Sequence, residues 1–503
     1  MSVHLISILS LCSCALAVLV SYFRRKNSYN MNLPPGSAGQ LLLGNLLQIP
    51  AAEPWKLFKE WSKKYGESSQ AVFDLLDKRS NIYSDRPRSV MDQLYEDLSD
   101  LSSWSFTFEM MPYAARWRNH RRMFHQYFRK DMTESYEGLH QREVHRFLQR
   151  MLANPNGMNI GHEVRKVFSA IIVVAMYGID APDDEYVEIA EVSMRGFNEF
   201  HVPGAYWVES LPILRHVPGW IPGVKFKKVA EYYKPYVEKM IHKPFDSVKT
   251  AMEQGDTTPS VVASMLRDLE SKYGGTSEYL EQEEIARNST AVGYGAAADT
   301  STTAAQVFLI AMAFNPEVQK QAQAELLSVV GPGRLPDPSD REHLPYIQAV
   351  LLETLRWKPV VPLNTPHAVL EDDEYHGFFI PKDTVVIANI WSMTRDPEMY
   401  PDPERFNPSR FLRDGKLDPN ILSPSSLAFG FGRRICPGRH FAEASLFLAI
   451  SSILHVFDVT LDPEFTGKDV EMTTGLVSVP TSVPCILTPR SQAAEKLVQD
   501  LST

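Results

Sequence analysis

Apolar residues recur every three or four positions, with charged residues between them, over 55–65, 133–151, 162–177, 184–200, 227–253, 282–313, 315–330, 344–357 and 438–456. That spacing lines one face of a helix with apolar side chains. Alternating, strand-like patches are short and fall late in the chain, at 376–380, 384–388 and 474–488,. Proline-rich loops fill 201–223 and 396–425. The pattern predicts a mainly α body with a minor β-sheet region. No linker-like stretch interrupts residues 51–503, so they are read as one domain, although length alone would allow about three.

Residues 3–23 are nearly all apolar, and Arg24, Arg25 and Lys26 follow at once. A helix of roughly 20 apolar residues spans a bilayer core. A cleaved leader would carry its positive charge before the apolar run, not after it. Residues 1–23 are therefore expected to be a single transmembrane anchor, and 24–50 a basic, proline-rich linker containing Leu33-Pro34-Pro35-Gly36. Positive charge stays on the cytosolic side, which places the body there. Asn288-Ser289-Thr290 matches a glycosylation acceptor, and in this topology it stays bare.

Four cysteines in 503 residues, with no CxxC pair, are too few for a disulfide framework or a protein-held zinc cluster. The net charge of −10 argues against a nucleic-acid partner, which needs a basic face.

One cysteine stands apart. In Phe429-Gly430-Phe431-Gly432-Arg433-Arg434-Ile435-Cys436-Pro437-Gly438, glycines let the backbone approach the sulfur, and a helix N-terminus follows. The partial positive charge there favours thiolate over thiol. Arg434 can pair with an anion on whatever binds. A cysteine nucleophile would need a base, and His440 lies one turn further on. A metal with a single protein ligand must instead be held mainly by a cofactor, and haem fits that description.

The run resembles F-x-x-G-x-R-x-C-x-G, the haem signature of the cytochrome P-450 monooxygenases of fungal microsomal type, at Phe429, Gly432, Arg434, Cys436 and Gly438. The resemblance extends from Leu33 onward and implies the cytochrome P-450 fold, haem b (iron protoporphyrin IX) as cofactor and Cys436 as axial ligand of its iron. It further implies that Thr300 and Asp299, in Ala296-Ala297-Ala298-Asp299-Thr300-Ser301, handle protons. Ala297 stands where the family has glycine. Trp117 and Arg121, in Trp117-Arg118-Asn119-His120-Arg121, are similar to the family's propionate-contacting pair. His367 occupies a place where similar chains put a propionate-binding residue. Glu353 and Arg356 resemble the structural E-x-x-R, with Arg405 expected to complete it.

The implied reaction inserts one oxygen atom from O2 into a lipophilic organic substrate, with electrons from NADPH through a diflavin reductase. The reductase would dock on the basic cluster Arg116, Arg118, Arg121, Arg122, Arg129 and Lys130. Loops 101–113, 359–369 and 472–480 are expected to line the pocket. The aromatic and lysine-bearing stretch 201–228 is expected to touch the membrane, and the implied address is the endoplasmic reticulum with the body cytosolic. One departure stands out. After Gly66 the family continues into a two-strand hairpin, and here only residues 67–70 precede the next helical run. A splicing or gene-model artefact is the first reading of this, with a truly truncated protein as the alternative; a haem-binding relative without oxygenase activity is the second functional reading, and a Cys436–His440 hydrolase the more distant one.

Overall fold

The computed structural model describes residues 32–39, 44–66, 69–88, 104–153, 159–180, 184–201, 206–210, 212–218, 221, 224–256 and 258–501. The expected anchor at 1–23 lies outside them. No helix among the described residues is long and apolar enough to cross a membrane.

Among the described residues, twelve longer helices carry most of the structure: α1 Pro54–Tyr65, α2 Ala115–Phe128, α3 Glu137–Ala153, α4 Ile160–Tyr177, α5 Asp184–Phe200, α6 Lys225–Glu253, α7 Val261–Tyr273, α8 Glu278–Phe314, α9 Pro316–Val329, α10 Pro345–Trp357, α11 Arg439–Val456 and α12 Gln492–Gln499. Several starts are legible in the sequence. Asn159 caps α4 by accepting from the His162 N–H, and Ser260 caps α7 by accepting from Ala263, each satisfying a donor that has no partner within the helix. Proline opens α1, α9 and α10, where its missing N–H costs nothing.

The organising element is α8. It is apolar on nearly every side, as a fully enclosed helix must be. It packs against α2, α4, α5, α6, α7, α10 and α11. One large core surrounds it, and a smaller one gathers Leu76, Tyr83, Val369, Tyr400 and Phe431 beneath the cysteine loop. Asn288 is buried within α8, which itself bars a glycan there.

Among the described residues the sheet content is four antiparallel pairs. β1 His367–Ala368 pairs with β4 Val385–Val386, β2 Asp373–Tyr375 with β3 Phe378–Ile380, and β5 Leu412–Arg413 with β6 Lys416–Leu417. β7 Phe457–Leu461 and β8 Cys485–Pro489 match residue for residue from Phe457↔Pro489 to Leu461↔Cys485. Three differences from the pattern reading appear. The predicted strand at 474–488 is strand only at its end, because 472–480 closes as a loop through a single Met472–Pro480 bridge. β7 follows directly on α11, and its alternation of buried Phe457 and Val459 with exposed Asp458 and Thr460 is too brief to stand out. β5 and β6 lie inside the stretch read as loop.

Where the family hairpin was expected, α1 ends at Tyr65, and Ser69–Val72 begins a helical segment that continues as a π-helix, Phe73–Lys78. β1 meets chain 82–85 on one side, through Ala368 N–H to Asp85 O and Leu370 N–H to Ile82 O. The open edge falls at β4, where Val385 is 48% exposed.

Candidate active site

The cysteine loop is held by its backbone. Gly430 and Gly432 both have positive φ, 75° and 52°, which side chains other than glycine rarely adopt. A Cβ on Gly432 would lie 2.2 Å from the Leu76 carbonyl oxygen, so only glycine lets the loop rest on the π-helical segment. Its N–H donates to Asp77. The Cys436 N–H closes the loop on Phe429 O at 2.7 Å. Gly438 ends the loop as the residue preceding α11, and a Cβ there would meet nothing within 4 Å.

The sulfur faces a cavity of about 260 Å³ lined by the loop, α8, α2, α5 and the segments around 360 and 476. Burial pushes the Cys436 thiol up, while the Gly438 N–H and the Arg121 charge pull it down. The sequence reading had the loop and helix end alone keeping the sulfur deprotonated. Burial outweighs them, and a coordinated metal is what would remove that proton.

One wall of the cavity carries three guanidinium groups: Arg86, Arg121 and Arg434. Arg434 donates to the carbonyls of Ser84 (2.7 Å), Met111 (2.7 Å) and Phe108 (3.4 Å), and stacks 4.3 Å over the Trp117 ring. Arg86 donates to the Glu109, Thr365 and Pro366 carbonyls. Among the described residues none of the three forms an ion pair with a carboxylate. Burial, and for Arg434 also the nearby Arg86 charge, pushes Arg434 down to about 8. Burial brings Arg86 and Arg121 each to about 10. Charges gathered this way call for a bound anion. Arg86 escaped the sequence reading because no local motif marks it.

The structure brings Phe429, Arg434, Cys436, Gly438, Trp117, Arg121 and Thr300 to the cavity. Gly432 supports the loop from behind. His367 does not line the cavity. Its Nδ1 lies 2.7 Å from Tyr83 O, and burial holds the ring well below its ordinary pKa, so it sits neutral and already paired. Asp299 and Thr300 separate: the Thr300 hydroxyl bonds back to Ala296 O at 2.9 Å beside the cavity, while Asp299 points toward α4 and α5. The hydroxyl back-bond is the one a helical threonine favours. Ala296 and Ala297 flank it on the cavity wall. Of the expected loops, Phe108, Val360, Val361, Leu476 and Val477 reach the cavity; Phe106 and Leu363 do not. His440 is not part of the lining, and its Nε2 meets Arg439 Nε at 3.2 Å, which leaves Cys436 without the base a nucleophile needs.

Glu353 and Arg356 on α10 form a bidentate pair, 2.7 and 2.9 Å, with no solvent exposure. The third member is Arg410, not Arg405. Arg410 Nε reaches Glu353 at 3.2 Å. Arg405 is exposed and contributes only its carbonyl, to Arg356 and Arg410. The Asn407 N–H also donates to Glu353 at 2.7 Å, so the turn at 407 swings the next arginine inward.

A larger groove, about 710 Å³, lies between α9, β7 and α12. Its polar side chains Gln319 and Gln323 are spent on Val459 O, Phe457 O and Asp458.

Residues 34–485 match the family model for cytochrome P-450. Cytochrome P-450 monooxygenase COX1 of Coprinopsis cinerea is 38% identical over 515 aligned positions, covering 96% of this chain and 98% of the relative. Tryptamine 4-monooxygenase of Psilocybe cyanescens is 33% identical, covering 98% of this chain and 99% of the relative. The fold and cavity thus define a haem-binding oxidoreductase that incorporates oxygen. The chain belongs to the cytochrome P-450 family and resembles its fungal monooxygenases. In the first alignment, 96% of 503 residues fill only about 483 of 515 positions, so that relative carries about 32 residues with no counterpart here.

Proposed function

We propose that the chain is a haem b-dependent monooxygenase acting on a lipophilic small molecule. The observation that carries this is the joining, in one cavity, of a lone cysteine with three guanidiniums that have no carboxylate partner among the described residues. Cys436 would hold the iron, and Arg86, Arg121, Arg434 and Trp117 the propionates; Gly438 leaves room for a flat ring. When bound, the haem supplies oxygen activation at a thiolate-ligated iron. The chain's part is to bury the sulfur, balance the propionates and exclude water with Phe124, Ile172, Met194, Phe197 and Val292. The Thr300 hydroxyl, on the cavity wall, would pass on a proton. The test is spectral: the reduced protein under carbon monoxide should show a strongly red-shifted haem band, and a haem-free preparation would end the proposal.

Two variants sharpen it. Arg86→Leu removes one charge from the wall and should lower haem retention severalfold after gel filtration, measured as haem per protein. Thr300→Val keeps the helix and the shape but loses the hydroxyl. It should cut product formed per NADPH on the order of tenfold or more, as loss of a proton-transfer group does, while leaving the carbon monoxide band in place.

Electrons are proposed to come from a diflavin reductase at the exposed face bearing Arg116, Arg118, Arg122, Arg129 and Lys130, where charge complementarity speeds encounter. A membrane site at the endoplasmic reticulum is supported by the apolar segment 3–23 and by Trp207 and Ile213, which are 45% and 70% exposed beside Arg215 and His216. Aromatic, aliphatic and basic groups in one patch suit a bilayer interface.

A further inference from the structure

The acid beside Thr300 turns its back on the cavity. Asp299 is buried, and its two carboxylate oxygens have different partners. Oδ1 lies 3.1 Å from Arg165 Nη1 on α4, and Oδ2 lies 3.4 Å from Asn198 Nδ2 on α5. Arg165 in turn comes within 3.7 Å of Glu191, which pairs with Arg195 at 3.0 Å near the surface. One partner is therefore a cation fixed in a chain of alternating charges.

The other partner is a neutral amide with a second attachment. Asn198 Oδ1 accepts the Val477 N–H at 3.0 Å. Its orientation is dictated chemically, since a carboxylate can only accept and a backbone N–H can only donate. No aspartate or leucine serves both sides. Val477 and Leu476 sit in the 472–480 loop and line the cavity, as do Met194 and Phe197 on the same helix as Asn198. The loop rests directly on this residue: a Cβ on Gly475 would lie 3.6 Å from Asn198 Cβ. Elsewhere the loop is tied by Ser478 N–H to Val360 O and by Thr473 N–H to Val479 O, so the Val477 N–H is its own link to α5.

We infer that Asn198 is a positioning residue that couples the 472–480 loop to the Asp299 carboxylate, so that a molecule pressing on Leu476 and Val477 alters how the acid is held. The inference rests on the monooxygenase reading for its purpose, but the linkage itself is a property of this chain. Coupling of this kind is reciprocal: whatever loosens the acid must loosen the loop.

Hydrogen–deuterium exchange of the full-length, haem-loaded ferric protein tests it, read on peptides spanning 472–482. Asn198→Leu should speed exchange at Val477 about tenfold. Asp299→Ala should speed it about threefold, by freeing the carboxamide, and the double variant should exchange no faster than Asn198→Leu alone. Asn198→Asp still accepts the Val477 N–H, so protection should persist. Unchanged exchange in Asn198→Leu, additive effects in the double variant, or lost protection in Asn198→Asp would each overturn the coupling. Loss of the red-shifted carbon monoxide band from the unmutated protein, with the exchange pattern intact, would instead sink the monooxygenase reading and leave the linkage standing.

Discussion

Cys436→Ser should abolish the red-shifted band of the reduced, carbon-monoxide-treated protein and all NADPH-dependent product formation. The reason is local. The sulfur is presented to the cavity by a loop whose two left-handed glycines and Cys436–Phe429 hydrogen bond fix it there. The Gly438 N–H and Arg121 favour its anion against the cost of burial. A serine hydroxyl in the same place is far harder to deprotonate and is a poor, hard donor for haem iron. Haem retention should fall less steeply, because Arg86, Arg121, Arg434 and Trp117 remain to hold the propionates. The two readings separate in one spectrum and one haem assay. An absorption band indistinguishable from that of the unmutated protein would show that iron is held by another group.

Much of this site was legible because its chemistry is compressed into ten consecutive residues, where spacing alone reports geometry. The long helix carrying Thr300 was equally plain, since a run of helical spacing over 282–313 survives as Glu278–Phe314. What escaped depends on contacts between distant segments. Arg86 reaches the cavity because Thr365 and Pro366 lie across it, 280 positions away. His367 looked available only because the Tyr83 carbonyl that occupies it is equally remote in sequence. Asp299 and Thr300 are neighbours in the chain and were read as one unit. Successive helical residues point about 100° apart, so one meets the cavity and the other meets Arg165 and Asn198.

The segment after Gly66 belongs to the same lesson. Where the resembled family has a hairpin, α1 ends at Tyr65 and Ser69–Val72 is already helical; chain 82–85 closes over β1, which leaves the open edge at β4. The cysteine loop takes its support from the chain beyond this segment: Gly432 packs on Leu76 and Asp77. An exposed apolar edge such as Val385 is a known hazard for association.

Arg410→Leu should destabilise the protein by about 1–3 kcal/mol, the cost of leaving buried acceptors without their donor, while Arg405→Ala should change it by less than about 0.5 kcal/mol, as exposed substitutions do. Glu353 accepts from Arg356 twice, from Arg410 and from the Asn407 N–H. One buried carboxylate thus serves two guanidiniums. Removing Arg410 leaves the Arg356 pair intact but strips donors from Glu353 and from the carbonyls of Pro401, Asp402 and Arg405. Glu353→Ala is harsher, since it strands both cations at once, and against a typical total of about 5–15 kcal/mol it should yield little folded protein. Urea titrations followed by circular dichroism on Arg410→Leu and Arg405→Ala decide between the two arginines. The prediction fails if the Arg405 variant is the weaker one. The reach of the effect follows from position: α10 abuts α11, and α11 begins at the cysteine loop, so the pair that holds the 401–410 turn to α10 also steadies the ground on which the sulfur stands.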